Sequence, residues 1–379
     1  MLPLFQRAIS AVLCLSVFGS WLPSQTPVQA PDPIEQKIEG MTLREEVGQL
    51  FMVRPQTLDA AHVQSRTAVT GQGKEFLAQY PVGGVILFKE NISDPDQLEC
   101  LLTGLQQASE LPLLVAVDEE GGTVTRVASN PGFGVEKYPS AAVVAASGDP
   151  EDVRAMSRNI GGYLKRYGFT LDFAPVADVN TNPKNPVIGK RAFSSDPQTA
   201  AEMVTAAVEG FQQAGMLCTL KHFPGHGDTA TDSHLGRATT IKTWAELQQA
   251  ELIPFRAGIE AGADVIMAAH ITTPNITGND VPASLSYEML TERLRGELGF
   301  TGVICTDALE MQAITDEYTP AQAAVMAVSA GADILLIPAD LPEAFEAVLA
   351  AVEDGTISKQ RLDESVYRIL TLKQKAGLL

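Results

Sequence analysis

Residues 261–270 read AGADVIMAAH. The Ala-Gly-Ala-Asp at 261–264 has the form of a helix-to-strand turn, because glycine suits the left-handed backbone at a helix C-terminus. Val265 to His270 is then an apolar run closed by an ionisable residue. The same turn recurs as Ala330-Gly331-Ala332-Asp333, ahead of another apolar run at Ile334–Pro338. Strands this apolar leave no face for water, which is the pattern of a parallel sheet covered by helices.

Working outward, eight such runs occur, at Leu50–Val53, Gly84–Phe88, Leu113–Asp118, Leu171–Ala177, Leu217–His222, Val265–His270, Val303–Asp307 and Ile334–Pro338. Between most of them lie helical patterns: Asp96–Leu111, Asp149–Tyr167, Pro197–Gly215, Thr243–Gly262, Ser286–Leu298 and Pro320–Ala330. Two further helices, Pro342–Glu353 and Lys359–Ala376, close the chain. A doubly wound open sheet shares the alternation, but strand count and length favour a single α/β domain, a (β/α)8 TIM barrel over residues 31–379. Residues 31–45 read as a polar tether ahead of a first packed helix near Leu43–Leu50.

The N-terminal segment, residues 1–30, is expected to be a signal peptide or an anchor. Arg7 precedes an apolar run from Ala8 to Leu22, and Val28-Gln29-Ala30 supplies small residues for cleavage. A working signal implies export to a periplasmic, extracellular or membrane-anchored location; without it the chain is cytoplasmic. Cys100, Cys218 and Cys305 show no disulfide spacing, and the last two sit in strand-like runs as small buried apolar residues.

Hydrophobic residues make up 45% of the 379 and charged residues 19%, the balance of a globular protein. A net charge of −19 excludes a nucleic-acid backbone or an anionic membrane surface as partner. A small neutral substrate is expected, with no stable protein partner and a monomeric chain.

In barrels of this kind the chemistry sits at the C-terminal ends of the strands. Asp118, Asp178, Lys221, His222, His270 and Asp307 all fall there. Asp307 reads either as the N-cap of the next helix or as a nucleophile on a rigid strand end, and the other ionisable groups on that rim favour the second. The richest stretch is Lys221–His234, KHFPGHGDTATDSH, with three of the five histidines. In it Asp232-Ser233-His234 can set a carboxylate against an imidazole, the partnership of a general acid/base. The rival is a metal site built from His222, His226, Asp228, Asp232, His234 and His270. Against it stand the missing His-x-His pair on the early strands and the charge of Lys221.

KHFPGHGDTATDSH, Asp118-Glu-Glu-Gly-Gly122, Cys305-Thr-Asp-Ala-Leu-Glu-Met311, Val187–Ser195 and Pro282–Ser286 together resemble family 3 of the glycoside hydrolases, in its single-domain β-N-acetylhexosaminidase branch. The resemblance runs from about Leu43 to Leu379. It implies a retaining exo-β-N-acetylglucosaminidase without metal or organic cofactor, acting on terminal β-linked N-acetylglucosamine of peptidoglycan fragments. It makes Asp307 the nucleophile, His234 with Asp232 the acid/base, and Asp118, Arg126, Arg191, Lys221 and His222 the sugar-binding set. His226 and Asp228 are expected to shape the loop, His270 to support the site from behind, and His62 to be an ordinary residue. Glu119-Glu120 departs from the family's usual Gln-Glu and adds charge beside Asp118. A glycoside phosphorylase, a metal-dependent barrel hydrolase and a non-catalytic sugar-binding barrel are the alternatives.

Overall fold

The computed structural model describes residues 32–61, 63–231 and 236–379. The expected leader, His62, and the Asp232–His234 pair lie outside these residues. The barrel strands are β1 (Phe51–Val53), β2 (Gly84–Leu87), β3 (Leu114–Val117), β4 (Leu171–Asp172), β5 (Leu217–Phe223), β6 (Val265–Ala268), β7 (Val303–Thr306) and β8 (Leu335–Leu336). They run parallel in the order β8-β1-β2-β3-β4-β5-β6-β7. A parallel bridge from Cys305 to Ile334 joins the two ends. The sheet therefore closes as a (β/α)8 barrel. Every residue of these strands is buried, as strands between a filled interior and a coat of helices must be.

The repeated turn has the predicted geometry, with φ of +87° at Gly262 and +117° at Gly331. Its aspartates add something the repeat alone did not reveal. Asp264, ahead of β6, accepts the backbone N–H of Cys218 on β5 at 3.2 Å, and Asp333, ahead of β8, accepts that of Ile304 on β7 at 2.9 Å. Each buried carboxylate stitches the start of its own strand to the preceding one. Cys218 and Cys305 are both buried, and burial pushes both thiols up, out of the reactive range.

Four segments differ from expectation, three with a clear physical cause. The tether contains a helix, Pro33–Glu39, capped by the Asp32 side chain, which accepts the N–H of Ile34 at 2.8 Å. Ile34 and Ile38, one turn apart, bury against the C-terminal helix Lys359–Lys375. The expected helix at 243–262 is two, Trp244–Gln249 and Leu252–Glu260, because the ring of Pro254 collides with the carbonyl four residues back, at Ala250. β4 stops at Asp172, since Pro175 cannot donate to the ladder, and the chain rejoins β5 through a Val176–Lys221 bridge. Finally, Glu288–Glu297 is wound as a π-helix, closed by Leu298 N–H donating to the Arg293 carbonyl five residues back at 2.9 Å.

One charge lies beneath this shell. Lys373 is 0% exposed, and its Nζ donates to Gln49 Oε1 at 2.5 Å. Burial, with the charge of Lys37 nearby, brings the ammonium down from 10.5 to about 7. The folded pKa is below the unfolded one, so the cost of the buried charge is full below that value and fades as pH rises towards the unfolded pKa. Lys373→Met should therefore stabilise the chain most near about pH 6 and progressively less towards about pH 10, as read by urea denaturation across that range. A gain that does not change with pH would rule out the buried charge as its cause.

Candidate active site

The pairing of β5 with β6 shifts register between Leu220 and Phe223. A regular strand sends adjacent side chains to opposite faces; here Lys221 and His222 both line one pocket at the C-terminal mouth of the barrel. The pocket holds about 240 Å³ and is also lined by Asp118, Arg126, Arg191 and Asp307. The six described members of the predicted site thus meet in one place. A larger cavity of about 440 Å³ lies at the opposite end, against the turns that enter β6 and β7. Its aspartate, Asp264, is occupied by Lys375 and the Cys218 N–H, so the mouth pocket is the better site.

Ion pairs organise one wall. Lys221, side chain 2% exposed, sets its Nζ 2.7 Å from Asp118 Oδ1 and 2.6 Å from Glu120 Oε1. Burial works against the charged ammonium, but the two carboxylates prevail and raise its pKa above the ordinary value. Arg191 grips Glu120 with two parallel bonds, Nε to Oε2 at 2.8 Å and Nη2 to Oε1 at 2.7 Å. Burial works against a charged Glu120, yet Lys221 and Arg191 hold its carboxyl far below the usual range. Arg126 approaches Asp118 Oδ2 at 3.6 Å.

Asp178, just beyond the Val176–Lys221 bridge, organises the next wall. Its Oδ2 accepts from His222 Nδ1 at 2.7 Å, while Oδ1 accepts the N–H groups of His222 at 3.2 Å and His226 at 2.6 Å. Burial opposes its ionisation, and the two imidazoles with these N–H groups prevail and lower its pKa. A carboxylate only accepts, so His222 Nδ1 carries the proton and Nε2 turns to Arg191 Nη2, 3.4 Å away. His226 sets its Nδ1 2.7 Å from Thr229 Oγ1, and burial together with His222 lowers its pKa. The loop that follows can take this path only with glycine: a Cβ at Gly227 would lie 1.8 Å from the Val179 carbonyl oxygen.

Asp307 follows β7 directly. Its N–H donates to the Ala268 carbonyl at 2.8 Å, and its Oδ1 accepts the N–H of Ala308 at 2.8 Å. The side chain therefore bonds the next turn as a cap does while also lining the pocket.

Sequence reasoning missed four pocket residues, Glu120, Arg54, Glu310 and Phe88. Glu120 was readable from alternation: in extended chain Asp118 and Glu120 share a face, and Glu119 takes the other. Arg54 follows β1, where the strand-end rule could have found it, and pairs with Glu310, three residues beyond Asp307. The Arg54 and Arg126 guanidiniums both lie over the Phe88 ring, at 4.8 and 5.6 Å from its centroid. Glu119 points away from the pocket. Its buried carboxylate accepts the N–H groups of Arg126 (2.5 Å), Val127 (2.9 Å) and Ala128 (2.9 Å) and the hydroxyl of Tyr163 (2.8 Å), fixing the segment that carries Arg126.

Residues 42–372 match the family model of the glycosyl hydrolase family 3 N terminal domain. The chain is 38% identical over 335 residues to a Pseudoalteromonas piscicida protein named beta-hexosaminidase A, covering 82% of this chain and 56% of that one. Among solved structures it resembles a family 3 β-N-acetylglucosaminidase from Paenibacillus sp. str. FPU-7, with TM-score 0.83, 40% identity and coverage of 89% of this chain and 63% of that one. It also resembles a β-N-acetylhexosaminidase from Beutenbergia cavernae, with TM-score 0.78, 31% identity and coverage of 88% and 99%. The chain thus spans little more than half of the first relative and nearly all of the last.

The clamp at Glu119 can be tested without any substrate. Tyr163→Phe removes one of its donors and should cost about 1–2 kcal/mol in urea denaturation. Glu119→Gln should cost more, because its NH2 group would face N–H donors. Unchanged stability in both variants would show that the clamp does not hold this segment.

Proposed function

The chain belongs to glycosyl hydrolase family 3, and on that premise we propose that it is a retaining exo-β-N-acetylglucosaminidase acting on small carbohydrate substrates, the terminal β-linked N-acetylglucosamine of peptidoglycan fragments. One observation carries this reading: Asp307 opens from a strand end into the same pocket as the Asp118, Arg126, Arg191, Lys221 and His222 set.

Each group has a task suited to its chemistry. The Asp118 carboxylate accepts from ring hydroxyls, while Lys221, Arg191 and Arg126 donate to sugar oxygens; bonds with one charged partner are the stronger kind. Asp307 attacks the anomeric carbon, the glycosidic C–O bond breaks, and the leaving oxygen takes a proton from His234, whose ring Asp232 orients. The product is a glycosyl ester of Asp307. Water then gives its proton to His234 and attacks the same carbon, releasing the sugar with net retention and restoring the carboxylate. The roles of His234 and Asp232 rest on the Asp-x-His motif and the family resemblance. An imidazole suits both half-reactions because its reference pKa of about 6.5 lets it exchange protons near neutrality. A monomeric chain, exported by the segment at residues 1–30, completes the reading.

Asp307→Ala should lower turnover of an aryl β-N-acetylglucosaminide by about 10⁴-fold or more, and a chelator should leave the wild-type rate unchanged. Full activity in that variant would remove Asp307 as nucleophile. For His234→Ala, the loss should be far larger with an alkyl aglycone than with a dinitrophenyl one, which needs no proton to depart. Equal losses would count against an acid role. Turnover with and without inorganic phosphate, with the anomer of the first product read by NMR, separates hydrolysis with retention from phosphorolysis and from a binder that does not turn over.

A further inference from the structure

We propose that His270 is a positioning residue for the nucleophile, acting through Ala308. This deepens the reading above and rests on it. The turn after β7 is tied to the strands on either side by backbone bonds: Asp307 N–H to the Ala268 carbonyl at 2.8 Å, Leu309 N–H to Leu336 at 2.8 Å, and Glu310 N–H to Ile337 at 3.0 Å. Ala308 stands between these ties, and its carbonyl accepts the Met311 N–H at 3.0 Å. Its N–H is given to the Asp307 carboxylate at 2.8 Å, and the same carbonyl oxygen has a second partner in His270 Nε2 at 2.9 Å.

The imidazole is fixed for this task. His270 and Ser284 are both 0% exposed, and His270 Nδ1 is 2.7 Å from Ser284 Oγ. A carbonyl only accepts, so Nε2 carries the proton; in the neutral ring Nδ1 then takes the serine hydroxyl's hydrogen. Ser284 is itself anchored, its N–H donating to the Ala269 carbonyl at 3.2 Å. The chain of contacts runs from Ser284 through His270 to the residue whose N–H meets the Asp307 carboxylate. A side chain thus shares with the Met311 N–H the task of orienting Ala308, whose own N–H meets the carboxylate. The described route from His270 to the pocket runs through the Ala308 carbonyl.

The competing explanation is a satisfied core histidine that merely stabilises the fold. The two differ in what a variant loses. With an aryl β-N-acetylglucosaminide, His270→Leu should lower kcat roughly 10- to 100-fold, the scale on which a small misplacement of a reacting group acts. KM and the inhibition constant of free N-acetylglucosamine should stay within about twofold of wild type, since the sugar-binding residues are untouched. His270→Gln should recover most of kcat, because its Nε2 can still donate to Ala308. Ser284→Ala, the milder change, keeps the ring and loses its anchor, and should fall between; it also serves if the leucine variant does not fold. Melting temperatures are measured alongside.

A folded His270→Leu variant with wild-type kcat overturns the proposal. So does a loss that is equal in the glutamine and leucine variants and follows their melting temperatures, and so does unchanged kcat in Ser284→Ala when His270→Leu cannot be made. An inactive wild-type protein overturns instead the reading of the site, and this inference with it; an active wild type with indifferent His270 variants overturns the inference alone.

Discussion

A buried ammonium governs the mouth of the barrel. Lys221 Nζ lies within 2.7 Å of carboxylate oxygens on both Asp118 and Glu120, with its side chain 2% exposed. Taking such an ion out of water costs several kcal/mol, and only well-placed opposite charges offset that cost. Two carboxylates on one ammonium would leave a surplus negative charge; the bidentate grip of Arg191 on Glu120 neutralises it. The network spans β5, the end of β3 and the segment before residue 192. The charges proposed to grip a sugar are thereby held in place without a ligand, which on that proposal leaves little ordering to be done on binding.

Buried acids elsewhere do a different job. Glu119, Asp178, Asp264 and Asp333 each accept backbone N–H groups from segments that need a partner. A carboxylate, with acceptor sites on two oxygens, can satisfy several donors where loops cannot satisfy one another. Glu119 and Glu120 show how sharply neighbours can divide. One binds a loop from behind while the next faces the pocket, as adjacent side chains of an extended segment do.

This bears on what the sequence could disclose. The barrel was legible because apolar strands and glycine-ended helices are local patterns, as at Gly262 and Gly331. The rim was legible because strand ends are where barrels carry ionisable groups, and Asp118, Lys221, His222 and Asp307 obey that rule. Partnerships were not. That Arg54 would meet Glu310, or Asp333 the Ile304 N–H, depends on how β1, β7 and β8 are brought together on closing the ring. Local exceptions also escaped periodicity: Pro254 breaks one expected helix through the carbonyl four residues back, and the Pro33–Glu39 helix is stabilised by packing its two isoleucines on a helix some 320 residues later.

The stretch Lys221–His234 divides along a physical line. Lys221 and His222 belong to β5 and are locked by Asp118, Glu120 and Asp178, while beyond Gly227 the chain leaves the strand ends for a loop. Gripping a sugar demands fixed donors, since a displaced charge is paid for in desolvation. A proton carrier that serves both the leaving oxygen and the incoming water must instead meet two different partners on one face of the substrate. In the proposed reading the grip and Asp307 stand at strand ends, which meets the first demand, and the proposed Asp232-x-His234 pair follows Gly227 in the sequence. The glycine at 227 marks the boundary, because its backbone must press against the Val179 carbonyl for the loop to depart from that point.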